Sequence, residues 1–76
     1  MYVLVENGGQ IFGFGLTPEE TRDDFVRRNL WYNGPRLEVR RCSPALYQQL
    51  ENTGDRELTF MRCRINSDGV AVPLER

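Results

Sequence analysis

Thr17-Pro18-Glu19-Glu20 is the most restrictive stretch of this chain, because it fixes where a helix must begin. The Thr17 hydroxyl can accept from a backbone N–H that has no partner inside the helix. Pro18 carries the φ that the first helical position needs, and Glu20 completes a capping box. Phe25, Val26 and Leu30 then form a one-sided apolar stripe, while Asp23/Arg27 and Asp24/Arg28 stand at i,i+4. Asn33-Gly34-Pro35 stops the helix, which is expected over 18–32.

The residues ahead of that start suit a hairpin. YVLVE and IFGFG are rich in strand-forming side chains and flank Asn7-Gly8-Gly9, residues that accept the positive φ of a tight turn. Strands are expected near 2–6 and 10–15. Period-two alternation puts Val3, Val5, Phe12 and Phe14 on the core face, and Tyr2, Leu4, Ile11, Gly13 and Gly15 on the other, which has little bulk on its second strand.

LEVRRC reads as a third strand near 37–42. Ser43-Pro44 repeats the cap-and-proline start, opening a helix near 44–53 with Leu46, Tyr47 and Leu50 on one side and Gly54 as its stop. ELTFMRCRI and VAVPL, around Asn66-Ser67-Asp68-Gly69, read as a second hairpin with strands near 57–65 and 70–74. A two-residue turn or a four-residue loop there gives one pattern: Met61, Cys63, Ile65, Val70, Val72 and Leu74 inward, and Phe60, Arg62 and Arg64 outward. Pro73 belongs on an edge. The expected fold is therefore α+β: a small two-layer ββαβαββ sandwich with one mixed sheet. If both crossovers are right-handed, both helices lie on one face and the other is open.

A chain of 76 residues suits a single domain over 1–76, with a thin core, since roughly 60% of the unfolded surface can be buried at this size. Cys42 and Cys63 lie in apolar contexts, without the density of a disulfide scaffold or the spacing of metal ligands, and are read as buried thiols. Histidine is absent, which removes the usual acid–base group at neutral pH and the commonest metal ligand. No bound cofactor or metal is expected. The opening MYVLVENGGQ has no charged n-region, and no stretch is apolar enough to span a bilayer, so a cytoplasmic protein without membrane contact is expected. The ten basic residues are all arginine, and the net charge of −1 is not the footprint of a nucleic-acid binder.

Local motifs for catalysis fail on physical grounds. Gly13-Phe14-Gly15 before a helix lacks the third glycine of a dinucleotide fingerprint, and Glu19 and Glu20 would repel phosphate at that helix start. The pairs Glu19/Glu20 and Asp23/Asp24 sit where the helix dipole favours acids, and neighbouring helical positions point about 100° apart. A thiol inside an apolar strand has a raised pKa, and no histidine can act as its base. The chain is expected not to be an enzyme.

Two features point instead to contact with another molecule. Trp31 and Tyr32 place large aromatics at a helix end, where Trp31 closes the small core from its edge or, on the other reading, the pair meets a partner. Tyr2, Arg40, Phe60, Arg62 and Arg64 are expected to share the open sheet face with Leu4 and Ile11, giving a half-apolar, arginine-bearing surface of the kind a partner covers. The leading expectation is a protein-binding module using that face, as a homodimer or with a foreign chain. The alternative is nucleic-acid contact, with Arg40, Arg41, Arg62 and Arg64 on phosphates and Tyr2 or Phe60 stacking on bases.

The runs VENGGQIFGFGLTPEE and RCSPALYQQLENTG resemble a pattern of small prokaryotic proteins that open with strand, turn, strand and capped helix. The likeness rests on turn and cap residues and implies no activity or site. Small inhibitor proteins of phages and mobile elements, anti-CRISPR proteins among them, are similar in size and equally free of catalytic motifs, which makes such an inhibitor a further alternative.

Overall fold

The computed structural model describes residues 1–6, 9–28, 36–54 and 57–74. Among them the order is ββαβαββ: β1 (Tyr2–Val5), β2 (Ile11–Gly15), α1 (Pro18–Arg27), β3 (Glu38–Arg41), α2 (Pro44–Glu51), a 3₁₀ turn (Leu58–Phe60), β4 (Cys63–Ile65) and β5 (Ala71–Pro73). The protein is thus an α+β fold. Both helices start where the hydroxyl–proline pairs require. The Thr17 hydroxyl accepts from the Glu20 N–H at 3.1 Å, and the Ser43 hydroxyl accepts from the Leu46 N–H at 3.2 Å. Leu30, expected at the end of the first helix, lies outside the described residues.

The strands form two antiparallel sheets, β2-β1-β3 and β4-β5, rather than one. An antiparallel bridge between Gln10 and Arg62 and a parallel bridge between Cys42 and Ala71 tie them together. Following these bridges, β2-β1-β3-β5-β4 runs round to β2 again and encloses one core of Val3, Val5, Ile11, Cys42, Leu46, Leu50, Leu58, Cys63 and Ala71.

Both hairpins contain an odd residue that alternation alone does not predict. In the second, the Asn66 N–H donates to the Val70 carbonyl, the Gly69 N–H donates to the Asn66 carbonyl, and Gly69 takes φ +79°. That is a three-residue loop with a glycine bulge, and it shifts the register by one. Ile65 therefore faces Ala71, and Arg64 faces Val72. Ala71 is the buried residue of β5, while Leu74 is 54% exposed and Ile65 is exposed as well; the expected inward placing of Ile65, Val70, Val72 and Leu74 is corrected accordingly.

The first hairpin repeats the device: the Gly9 N–H donates to Glu6, the Glu6 N–H donates to Gln10, and Gly9 has φ +91°. Its register also slips between Leu4 and Val5, so Ile11 rather than Phe12 enters the core opposite Val5. Phe12 is buried instead against Phe25 of α1, edge to face at 6.1 Å.

The face expected to be open is covered. Leu4 pairs with Gly13 and Tyr2 with Gly15, and a Cβ on either glycine would come within 3 Å of the Thr21 backbone. Helix α1 therefore lies directly on the sheet at the place where the sequence supplies no side-chain bulk. It packs through Thr21 and Phe25, while Val26, expected in the apolar stripe, is 73% exposed. Helix α2 inserts Leu46 and Leu50 on the Val3/Val5 side, so the helices occupy opposite faces. The reason is strand direction. β2 and β3 are both antiparallel to β1 and hence run parallel to each other, but β4 runs opposite to β3, and the handedness rule does not govern that second connection.

Candidate functional site

The second hairpin is where exposed arginines and apolar side chains meet. A hydrogen-bonded turn leads into it: the Gly54 carbonyl accepts from the Glu57 and Leu58 N–H groups, and the Leu58 carbonyl accepts from Met61. With three residues per turn, Leu58 and Met61 fall on one side. Leu58 is fully buried and Met61 packs against the core, which turns Phe60 outward to 84% exposure. Arg62, just before β4, and Arg64 within it are exposed, while Cys63 between them points inward and half-buried Val72 lies beside Arg64 across the ladder.

Of the residues expected on one face, Phe60, Arg62 and Arg64 are exposed on the 3₁₀ turn and the stretch that follows it, and the fold separates the rest. Tyr2 pairs with Arg41, not Arg40, and is half-buried in a cleft of about 600 Å³ that Arg41, Ser43, Pro44, Asp68 and Val70 also line. Arg40 stands opposite Val3 on the other face of the sheet, bonded to Glu38 at 2.8 Å, its guanidinium close against Gly69. Leu4 and Ile11 are buried. Trp31 and Tyr32 lie outside the described residues.

A second concave surface was not legible in the sequence. At the Phe14–Gly15 end of β2, these two residues form the floor of a cleft of about 360 Å³, with Glu20, Asp23, Asp24 and Arg27 of α1 on one side and Tyr47 of α2 on the other. The Tyr47 and Phe14 rings meet edge to face at 5.4 Å. Asp24 holds the cleft's inner wall. It accepts from the Phe14 N–H at 3.1 Å, from Arg28 at 2.7 Å and from Arg27 at 2.6 Å. Burial works to raise its pKa, but the hydrogen bonds from Arg28, Arg27 and Phe14 outweigh it and hold the carboxyl below its ordinary value. Arg27, expected to pair with Asp23, thus pairs with Asp24, and the Arg28 guanidinium lies 5.3 Å from the Phe14 ring centre.

Both cysteines are free and buried. Burial pushes the Cys42 thiol up to about 11 and raises Cys63 as well, so both remain protonated at neutral pH. Among the described residues no three His, Cys, Asp or Glu side chains converge to hold a metal ion, and no helix is long and apolar enough to cross a membrane. No protein family matches the chain, and comparison with curated proteins and with solved structures yields no match.

Proposed function

We propose that the chain is a non-enzymatic module that binds another protein through the outer side of the 3₁₀ turn and β4. The observation that carries this reading is Phe60, exposed to 84% yet mounted on a turn whose neighbour Leu58 is wholly buried. Covering such a ring is worth on the order of 1.5–3 kcal/mol. Because the turn is already anchored, little ordering entropy opposes that gain. Exposed Arg64, four residues on, supplies a planar donor for carboxylates, and aromatic and arginine side chains are the types that dominate binding energy at protein contacts.

The test places a photo-reactive phenylalanine analogue at position 60 and, as a control, at the exposed position 48 of α2. Irradiation in lysate should give a discrete protein adduct from position 60 and none from position 48. Adducts to RNA alone, or equal labelling from both positions, would defeat the reading.

A further inference from the structure

We propose that the partner is a second copy of this chain, related by a twofold axis, with Phe60 and Arg64 of each copy seated at the Phe14–Tyr47 cleft of the other. This rests on the protein-binding reading above and names the occupant. The two halves of the contact lie along one edge. β1 takes one side of β2; on the other side the Ile11 N–H donates to the Met61 carbonyl at 3.2 Å, and the Phe14 N–H donates to Asp24 at 3.1 Å. The Met61 end of the protruding turn and the cleft are thus successive features of the same edge, about 10 Å apart at the usual rise per strand residue, and Arg64 lies further along it, past Arg62 at Gln10 and Cys63 at Gly9. An isologous contact needs knob and hollow on the same side of the molecule, so that each copy offers both.

Charge selects the same pairing. Asp24 is already engaged by Arg27 and Arg28, and Glu20 accepts from the Thr17 hydroxyl at 3.4 Å, which leaves Asp23 as the carboxylate at the mouth of the cleft for an incoming guanidinium. Burial, then Glu51 and Glu20, raise the pKa of Tyr47, which marks a negative field at its hydroxyl. The chain also contains the pattern for what enters: Arg28 lies over Phe14 and bonds Asp24. Arg64 of the other copy takes the equivalent place between the Tyr47 ring and Asp23, a guanidinium held by a ring and a carboxylate. The cleft holds the volume of roughly a dozen liquid waters, enough for one long side chain to displace them. With a net charge of only −1, two copies meet without general repulsion.

Sedimentation equilibrium of the whole chain should show a dimer that dissociates on dilution. Arg64→Glu and Asp23→Arg, both changes at exposed positions, should each weaken association by about tenfold or more, the scale of coupling between close interfacial charge pairs, while leaving the thermal melt of the monomer unchanged. An equimolar mixture of the two variants should restore dimerisation. In the mixed pair the introduced carboxylate meets the introduced guanidinium at one contact, and the native Arg64–Asp23 pair is kept at the other. A wild-type chain that stays monomeric at high concentration overturns the proposal, as does a dimer indifferent to both variants or a mixture that stays apart. A monomer that still gives a foreign-protein adduct from position 60 removes only the second copy as occupant; absence of any protein adduct removes the protein-binding reading itself.

Discussion

The two helices begin with the same chemistry and are held by different physics. Each opens with a hydroxyl cap and a proline, yet α2 is fixed by Leu46 and Leu50, both fully buried in the common core. α1 has no large aliphatic side chain buried. It is held by the approach of its backbone to Gly13 and Gly15, by buried Thr21, by Phe25 against Phe12, and by Asp24 on the edge of β2. Area burial holds one helix, and close fit with directional polar contacts holds the other. The distinction bears on the proposed contact, because the cleft wall contributed by α1 is positioned by those polar contacts.

The largest effect is expected where burial dominates. Leu46→Ala truncates a fully buried side chain of the common core and should cost about 3 kcal/mol, read as a shift in urea midpoint at unchanged slope. A loss below about 1 kcal/mol would show that α2 is not anchored by area.

The contrast between the helices also explains what the sequence made legible. Helix starts were readable because a cap is local: Thr17 and Ser43 need only the N–H three residues on, at Glu20 and Leu46. Side-chain parity was not, because each hairpin turns through a glycine at positive φ, Gly9 or Gly69, that adds one residue to the loop. Two-residue and four-residue turns have the same parity, so weighing those alternatives could not expose the slip that puts Ala71 inside and sets Val72 beside Arg64. Gly13 and Gly15 did announce a face without bulk, but not that α1 would lie on it. Arg62 and Arg64 were readable as outward because they alternate with buried Cys63, whereas Phe60 is outward for another reason, the 3₁₀ turn over Leu58–Phe60 that replaces the start of the strand expected near 57–65. The Phe14–Tyr47 cleft was not, because it comes from three elements whose relative placement depends on the opposite-face packing of the helices.

The next effect in size tests the close fit of α1. Gly15→Ala places a Cβ 2.8 Å from the Thr21 nitrogen and 2.9 Å from the Glu20 backbone, atoms that can yield only if the helix moves. Overpacking of this kind costs about 2 kcal/mol, against a gain of roughly 0.5–1 kcal/mol from replacing glycine within a strand. A net loss is expected, accompanied by shifts of the Phe14 and Thr21 amide resonances. If the alanine variant is neutral or more stable, α1 is not held at that distance and the comparison of the two helices fails.

The smallest effect isolates the polar part of the α1 contact. Asp24 in the folded chain has a pKa below its ordinary value of 3.8. A carboxyl depressed by folding contributes stability that is fully present above that ordinary value and is lost as pH falls below it, through the folded-state pKa. The Phe14 amide reports this locally, because it donates to the Asp24 carboxylate. Its chemical shift should titrate with a midpoint below 3.8, and the unfolding midpoint should fall over the same window. In Asp24→Asn the Phe14 titration should disappear and the acid dependence of the unfolding midpoint should weaken, while the resonances of Leu46 and Leu50, on the opposite face, stay in place. A Phe14 shift that titrates at or above 3.8, or that persists in the asparagine variant, would mean that the carboxylate does not latch α1 to β2 and that close packing alone sets the cleft wall.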